Sequence, residues 1–250
     1  QGYTGDLVTT GAAQAWEMND RSLLQSADWQ ALGVPEKLTP VDFTVAIAAS
    51  VYVIIINTDR VKPADEPKGW EDINDPKWKG RMGSWVRAGA HTQMAKVWGV
   101  EKAQAQLEDY VKLQPLLFKS TFPLAQQVGA GEVDIAIGFF HTAQPPMDAG
   151  APVKRIALNP APMHTIYTSL TKGARNTPGA KLFLSWLATP EGAAAYEGAT
   201  NRGSHLMEGT KTYDLVKDSE VSEWPAEETN KYQETFKVFN KILGSAGAAR

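Results

Sequence analysis

The fold of this chain depends on its longest apolar run, VYVIII at residues 51–56. The β-branched residues of this run favour a buried strand, and six residues are far fewer than the roughly 20 that a helix needs to cross a bilayer. The run ends a longer stretch rich in Val and Ile, residues 43–56, which the small residues AAS at 48–50 interrupt. Residues 43–56 therefore predict either two strand segments or one long bent strand.

Strand and helix patterns alternate on both sides of this run, without an internal repeat or a low-complexity tract. Residues 6–10, DLVTT, predict a short strand that leads through Gly11 into a helix. Residues 133–138, VDIAIG, predict a short, buried parallel strand. Such alternation is typical of parallel sheets covered by helices, so the predicted fold class is α/β.

Helix signals fill the intervals between the predicted strands. Thr177 is expected to cap a helix that begins at Pro178, and Thr189 to cap a second helix that ends at Gly198. Gly244 is expected to end the last helix. Helical spacing predicts three buried stripes: Val100, Ala103, Leu107, Tyr110 and Val111; Ala180, Phe183, Leu184 and Leu187; and Tyr232, Phe236, Phe239 and Leu243.

Composition excludes several functional classes. The 250 residues include 25 Lys and Arg against 28 Asp and Glu, and the net charge of −3 gives no electrostatic reason to expect nucleic acid or an anionic membrane. The chain has no cysteine, which excludes disulfides, thiolate metal sites and a Cys nucleophile. The four histidines have no metal-binding spacing, and no nucleotide-binding or hydrolase motif occurs. We therefore expect no catalytic residues, no metal site and no cofactor.

Three stretches of the chain form a further pattern. They are INTD at residues 56–59 followed by GWEDINDPKWKGRMG at 69–83, GEVDIAIG at 131–138, and KGARNTPGAKLF at 172–183 leading to TPEG at 189–192. In this order and spacing they resemble the periplasmic solute-binding proteins of ABC transporters. The resemblance is to the type 2 group, which includes ferric-ion, phosphonate and sugar-phosphate receptors, and the stretch at 69–83 is the most specific of the three.

This resemblance implies a two-lobed α/β fold with a central cleft between the lobes and crossover hinge strands. On this interpretation residues 1–56 and 166–205 form lobe 1, and residues 57–165 and 206–250 form lobe 2. Hinge closure around the solute is the expected motion. Relative to the family, the sequence does not include the opening β-α-β unit before Gln1. Either the sequence is trimmed there, or part of the cleft wall is absent and lobe 1 is expected to expose a sheet edge.

The resemblance also implies a function. We expect a monomeric, non-enzymatic receptor in the periplasm that captures a small organic anion and delivers it to an ABC-transporter permease. Two alternatives keep the scaffold and change its use: a sensory or chaperone-like binding domain that presents its closed form to another partner, and an enzyme with its active site in the same cleft. Turnover of a stabilising ligand would distinguish the enzyme.

Residues 83–92 contain the first predicted solute contacts. They run from a strand end through a glycine-containing loop into a helix that begins near Ala90, and helix N-termini bind anions. Arg87 is predicted to add a bidentate contact, Trp85 a stacking face, and His91 and Thr92 further contacts. The alternative is that Arg87 is a solvated charge and Trp85 a core aromatic.

Residues 138–142 contain the second group, because open α/β sheets bind ligands at the carboxyl ends of their strands. Phe139 and His141 are predicted contacts there. Ferric receptors of this family present adjacent tyrosines in this region, whereas Phe139 and Phe140 cannot supply phenolate oxygens. An iron-binding role for this motif is therefore not expected. His141 has the alternative of a purely structural role.

Four further residues are predicted contacts on weaker grounds. Thr10 precedes a strand-to-helix turn with free backbone N–H groups. Ser50 and Tyr52 lie near the proposed crossover, where Tyr52 has the alternative of packing in the core. Thr121 stands at a predicted helix start, where it either caps the helix or touches the solute.

Overall fold

Two long strands, β3 (Val45–Asn57) and β8 (Ala161–Thr171), organise the chain. The computed structural model describes residues 5–247. Each of these strands begins in one compact unit and ends in the other. The first unit contains the described residues up to Ser50 together with His164–Lys217, and the second contains Val51–Met163 together with the described residues from Asp218 onward. The predicted lobe limits lie near these changes of unit without coinciding with them.

The first unit is built around the carboxyl-terminal part of β8. Strands β1 (Leu7–Gly11) and β2 (Leu24–Gln25) pair antiparallel with it, and the first part of β3 lies on its other side. The helices are α1 (Ala12–Asp20), α6 (Thr177–Leu187), α7 (Pro190–Thr200) and α8 (Lys211–Val216). Its core includes the fully buried Trp29, Leu38, Val45, Leu170 and Leu184.

The second unit contains the strands β4 (Met82–Trp85), β5 (Leu116–Phe118), β6 (Ile135–Phe139), β7 (Val153–Ile156) and β9 (Val221–Ser222). Strand β4 lies between β5 and β6 and is parallel to both, while β3 runs antiparallel to β6 and β7. The helices are α2 (Gly89–Trp98), α3 (Val100–Lys112), α4 (Thr121–Ala130), α5 (Gln144–Asp148) and α9 (Thr229–Gly244). The sheet is therefore mixed, which corrects the expectation of purely parallel sheets.

The predicted stretch forms one strand rather than two, β3, which begins at Val45 rather than at residue 43 and ends at Asn57. All 13 residues of β3 are buried, and Ala48–Ser50 continue the strand without a break. The run at 51–56 is a buried strand, as predicted.

The helix ends agree with the sequence signals only in part. Asn176, not Thr177, caps α6, since its Oδ1 accepts from the Gly179 N–H at 3.1 Å. Phe183 is 48% exposed and leaves the predicted stripe. Thr189 caps α7 as predicted, but α7 continues past Gly198 to Thr200, because Asn201 adopts the left-handed conformation that ends it. Gly244 ends α9 as predicted.

The stretch at 69–83 is a hydrogen-bonded turn before β4. The indole N–H of Trp70 donates to the Pro160 carbonyl at 2.8 Å, and that of Trp78 donates to the Asp72 carbonyl at 3.0 Å. The Asp72 carboxylate accepts from the backbone N–H groups of Lys68 and Gly69, which lowers its pKa. This stretch thus serves the architecture of the second unit.

The stretch at 131–138 is anchored by one buried carboxylate. Asp134 is 4% exposed and accepts from the Arg81 guanidinium at 2.5 Å, while Arg60 lies 3.7 Å from its other oxygen. Its backbone N–H also donates to the Arg81 carbonyl at 2.7 Å. These bonds lie at the amino ends of β4 and β6, so this stretch too is structural.

Candidate functional site

The carboxyl ends of three parallel strands meet at one edge of the second unit's sheet. β4 ends at Trp85, β5 at Phe118 and β6 at Phe139. After β4 the chain passes through α2 and α3 to β5 on one side, and then through α4 to β6 on the other. A reversal of this kind leaves a crevice beyond the strand ends, where α/β sheets bind ligands.

Five rings gather at this edge, and we call them the aromatic cluster: Tyr52, Trp85, Phe122, Phe139 and His141. Tyr52 lies opposite Phe139 in the sheet, and their ring centres are 4.3 Å apart. Trp85 meets Phe139 edge-on at 5.7 Å, and His141 stacks on Phe139 at 5.3 Å. Phe122 lies 6.0 Å from His141 and is 47% exposed, so the cluster has a buried body and an exposed rim.

Arg87 adds a positive charge beside this cluster. Its side chain is exposed, and its guanidinium carbon lies 5.3 Å from the centre of the Trp85 ring, a cation–π contact. Among the described residues no carboxylate lies within 4 Å of the guanidinium. Helix α2 begins two residues later, at Gly89, and its N-cap residue Ala88 has no side chain that accepts from the first-turn N–H groups. The positive end of α2 thus follows Arg87 by two residues in the chain.

Two tyrosine hydroxyls lie within the electrostatic reach of Arg87. Burial and the neighbouring Tyr232 raise the pKa of Tyr52, and the charge of Arg87 lowers it only in part. Burial likewise raises the pKa of Tyr232, on α9, against the opposing effect of Arg87. Both phenols are therefore protonated at neutral pH. Sequence reasoning missed Tyr232, whose only signal was its place on an apolar helical stripe.

His91 and Thr92 lie in the packed interior of the second unit. His91 is 3% exposed and its ring lies 5.4 Å from that of Tyr110, while the Thr92 hydroxyl donates to the Ala88 carbonyl at 2.8 Å. Among the described residues, neither makes a ring contact or a hydrogen bond with the aromatic cluster. The structure does not bring these two predicted contacts together with the others.

The burial of His91 predicts a pH dependence of stability. Burial lowers the pKa of His91 to about 4, as it does for His164 and His205. The unfolded chain binds these protons near pH 6.5 and the folded chain does not, so the free energy of unfolding falls as the pH drops from 6.5 towards 4. Urea unfolding at pH 7.5 and pH 5 measures this. The variant His91→Phe should show a shallower fall, and an equal fall in variant and wild type would contradict the assignment.

The remaining predicted contacts are distributed over both units. Ser120 rather than Thr121 caps α4, because its hydroxyl accepts from the Phe122 N–H at 3.4 Å. Thr121 is the buried first residue of that helix. Thr10 and Ser50 belong to the first unit: Thr10 is half-buried beside Gly11, where α1 begins, and Ser50 is buried in β3.

The described residues contain neither a membrane-spanning helix nor a metal-binding cluster. None of the helices is both long and apolar enough to cross a membrane. Within the same residues, no group of three or more His, Cys, Asp or Glu side chains is arranged to hold a metal ion.

Comparison with known proteins gives a family match. The family model described as "Bacterial extracellular solute-binding protein" matches residues 3–199. An uncharacterized protein from Haemophilus influenzae is 30% identical over 178 residues, which are 66% of this chain and 51% of that protein. The chain thus spans about half the length of the curated relative that it matches.

Solved structures of periplasmic binding proteins share the fold. Iron-bound HitA from Pseudomonas aeruginosa matches with a TM-score of 0.78 and 16% identity, covering 96% of this chain and 82% of HitA. AfuA from Actinobacillus pleuropneumoniae, solved with exogenous fructose-6-phosphate bound, matches with a TM-score of 0.73 and 21% identity, again covering 96% and 82%. An ABC transporter substrate-binding protein from Bradyrhizobium japonicum matches with a TM-score of 0.77 and 18% identity, covering 95% and 82%.

Proposed function

Because this chain belongs to the bacterial extracellular solute-binding proteins, we propose that it captures a small organic anion in the periplasm and delivers it to an ABC-transporter permease. Binding without turnover, as a monomer, is the activity proposed. The solute is expected to lie at the carboxyl edge of β4, β5 and β6, where the aromatic cluster and Arg87 meet.

The observation that carries the proposal is the exposure of the Arg87 side chain and its lack of a carboxylate partner among the described residues. Arg87 is exposed and stands two residues before the positive end of α2, and its guanidinium has no carboxylate within 4 Å among the described residues. A guanidinium presents paired N–H donors that match a carboxylate or phosphonate. Since the first-turn N–H groups of α2 favour the same sign of charge, an anionic group of the solute is the complementary partner.

The exposed aromatic rings of the cluster indicate what the non-anionic part of the solute is. Trp85 is half-buried beside Arg87, and Phe122 is 47% exposed. Apolar pockets with a few placed polar groups are typical of sites for organic ligands. We therefore propose that the solute has an apolar or aromatic part that lies against these rings while its anionic group meets Arg87.

An organic anion is favoured over a ferric ion for three reasons. Phe139 and Phe140 carry no oxygen ligand, and the raised pKa values of Tyr52 and Tyr232 favour phenols over phenolates. A cationic guanidinium also repels a metal ion. The fold itself accommodates either type of cargo, since HitA was solved with iron and AfuA with fructose-6-phosphate.

Thermal unfolding with matched pairs of solutes tests the proposal. Phenylphosphonate is compared with benzyl alcohol, and glucose-6-phosphate with glucose. A ligand at 100 times its Kd stabilises by about 2.7 kcal/mol, which corresponds to a rise of roughly 5–10 °C in Tm for a chain of this size. We expect at least one anion to raise Tm and its neutral counterpart not to. Stabilisation by neutral solutes alone would overturn the proposal, and conversion of the stabilising anion on long incubation would indicate an enzyme.

A further inference from the structure

The backbone on both sides of Arg87 is held by hydrogen bonds. The N–H of Val86 donates to the Phe118 carbonyl, on the neighbouring strand, at 2.9 Å. The N–H of Ala88 donates to the side-chain Oδ1 of Asn240 at 2.8 Å. Arg87 therefore has an exposed side chain on a segment whose two flanking residues are fixed.

Asn240 makes its bond from a well-anchored helix. α9 packs against α2 and α3, and its residues Phe239 and Leu243 are 0% and 1% exposed in the core. Ala88 is the N-cap residue of α2 and has no polar side chain, so the sequence around it contains no local cap. In a capping box, the side chain at N3 accepts from the backbone N–H of the N-cap residue. Asn240 supplies this acceptor from another helix, 152 residues further along the chain.

We infer that α9 is a positioning element of the solute site, in which Asn240 fixes Ala88 and thereby the direction in which Arg87 points. The inference rests on the proposed function for the role of Arg87. Asn240 is a positioning residue because it contacts the backbone of Ala88. The family match ends at residue 199, so α9 lies outside the region that the match describes.

The physical benefit is preorganisation. A cation on a fixed segment loses less conformational freedom on binding than one on a mobile loop, so more of its interaction energy appears as affinity. α9 also places Tyr232, two turns before Asn240, where its hydroxyl senses the charge of Arg87. One helix thus contributes both the hydrogen bond that fixes the backbone next to Arg87 and a phenol whose pKa the charge of Arg87 lowers in part.

Hydrogen exchange of the Ala88 amide tests the positioning role without any solute. Asn240→Ala should speed its exchange about tenfold, because the amide loses its acceptor. Asn240→Asp keeps an acceptor oxygen and should restore protection. Asn230→Ala is the control, since Asn230 is an exposed residue of the same helix. Unchanged exchange in Asn240→Ala would overturn the inference.

Titration with phenylphosphonate then tests the effect on the site. Asn240→Ala should weaken its binding about fivefold in the wild-type background and not at all in the Arg87→Ala background, because the residue acts through Arg87. Equal losses in both backgrounds would show a general structural effect and overturn the inference. If phenylphosphonate does not bind the wild type, the titration uses glucose-6-phosphate; if neither anion binds, the proposed solute class fails, while the exchange experiment still decides the role of Asn240.

Discussion

Replacing Arg87 with alanine is expected to weaken the binding of an organic anion by about a hundredfold. Hydrogen bonds to charged groups contribute about 1.5–3 kcal/mol each, and about 1.4 kcal/mol corresponds to a factor of ten in Kd, so the loss of a bidentate contact reaches this size. Arg87→Lys should lie between the two, because an ammonium keeps the charge but not the paired donors. Isothermal titration with the stabilising anion measures all three proteins.

The folded state should tolerate this change, which separates loss of binding from loss of structure. The Arg87 side chain is exposed, and its ring contact is with Trp85 alone among the described residues, so the free energy of unfolding should change by less than about 0.5 kcal/mol. Arg21→Ala is the matched control, since Arg21 is an exposed arginine whose ion pair is with Glu17 one turn away. Undiminished anion binding by Arg87→Ala would contradict the proposed site.

Gly192→Ala is expected to destabilise the protein by more than about 4 kcal/mol, in the range reserved for severe steric conflicts. A Cβ at this position would lie 2.0 Å from the Trp186 carbonyl oxygen and 2.7 Å from the Leu187 Cα. Both are backbone atoms, so no rotation of a side chain relieves the overlap. Since net stabilities are about 5–15 kcal/mol, this loss is a large fraction of the total free energy of unfolding. Chemical denaturation measures the loss.

Gly198→Ala provides the matched control on the same helix. Gly198 is exposed in the interior of α7, and a Cβ there meets no atom within 4 Å. Alanine is a better helix former than glycine by about 0.8–1.0 kcal/mol, so this variant should be more stable than the wild type. Destabilisation by Gly198→Ala would indicate that α7 ends at Gly198, as the sequence alone suggested.

Local patterns predicted the elements of the fold better than their ends and pairing. The β-branched run at 51–56 and the helical stripe of α3 lie where expected, because each depends on nearby residues. The partner of a strand depends on distant ones, and the antiparallel pairing of β1 with β8 joins residues 7–11 to 166–170. Asn176 rather than Thr177 caps α6. The sequence could not distinguish the two, because both side chains are suitable acceptors and they are one residue apart.

The site was predictable where it follows strand ends. Trp85, Arg87, Phe139 and His141 come directly after β4 and β6 or end them, and Tyr52 is opposite Phe139 in register. Tyr232 and Asn240 were not found, because their nearness to Arg87 arises from the packing of α9 on α2 and has no local signal. His91 and Thr92, predicted as solute contacts, instead make their contacts in the interior of the second unit.

The central claim, that an anion is held beside Arg87 and the aromatic cluster, is tested most directly by NMR titration of the ¹⁵N-labelled protein with phenylphosphonate. The account predicts that the largest shift changes fall on the Trp85 indole N–H and on the amides of Ala88, Gly89 and Ala90, and that these changes vanish in Arg87→Ala. Saturable shifts confined to other parts of the protein, with these four signals unmoved, would contradict it.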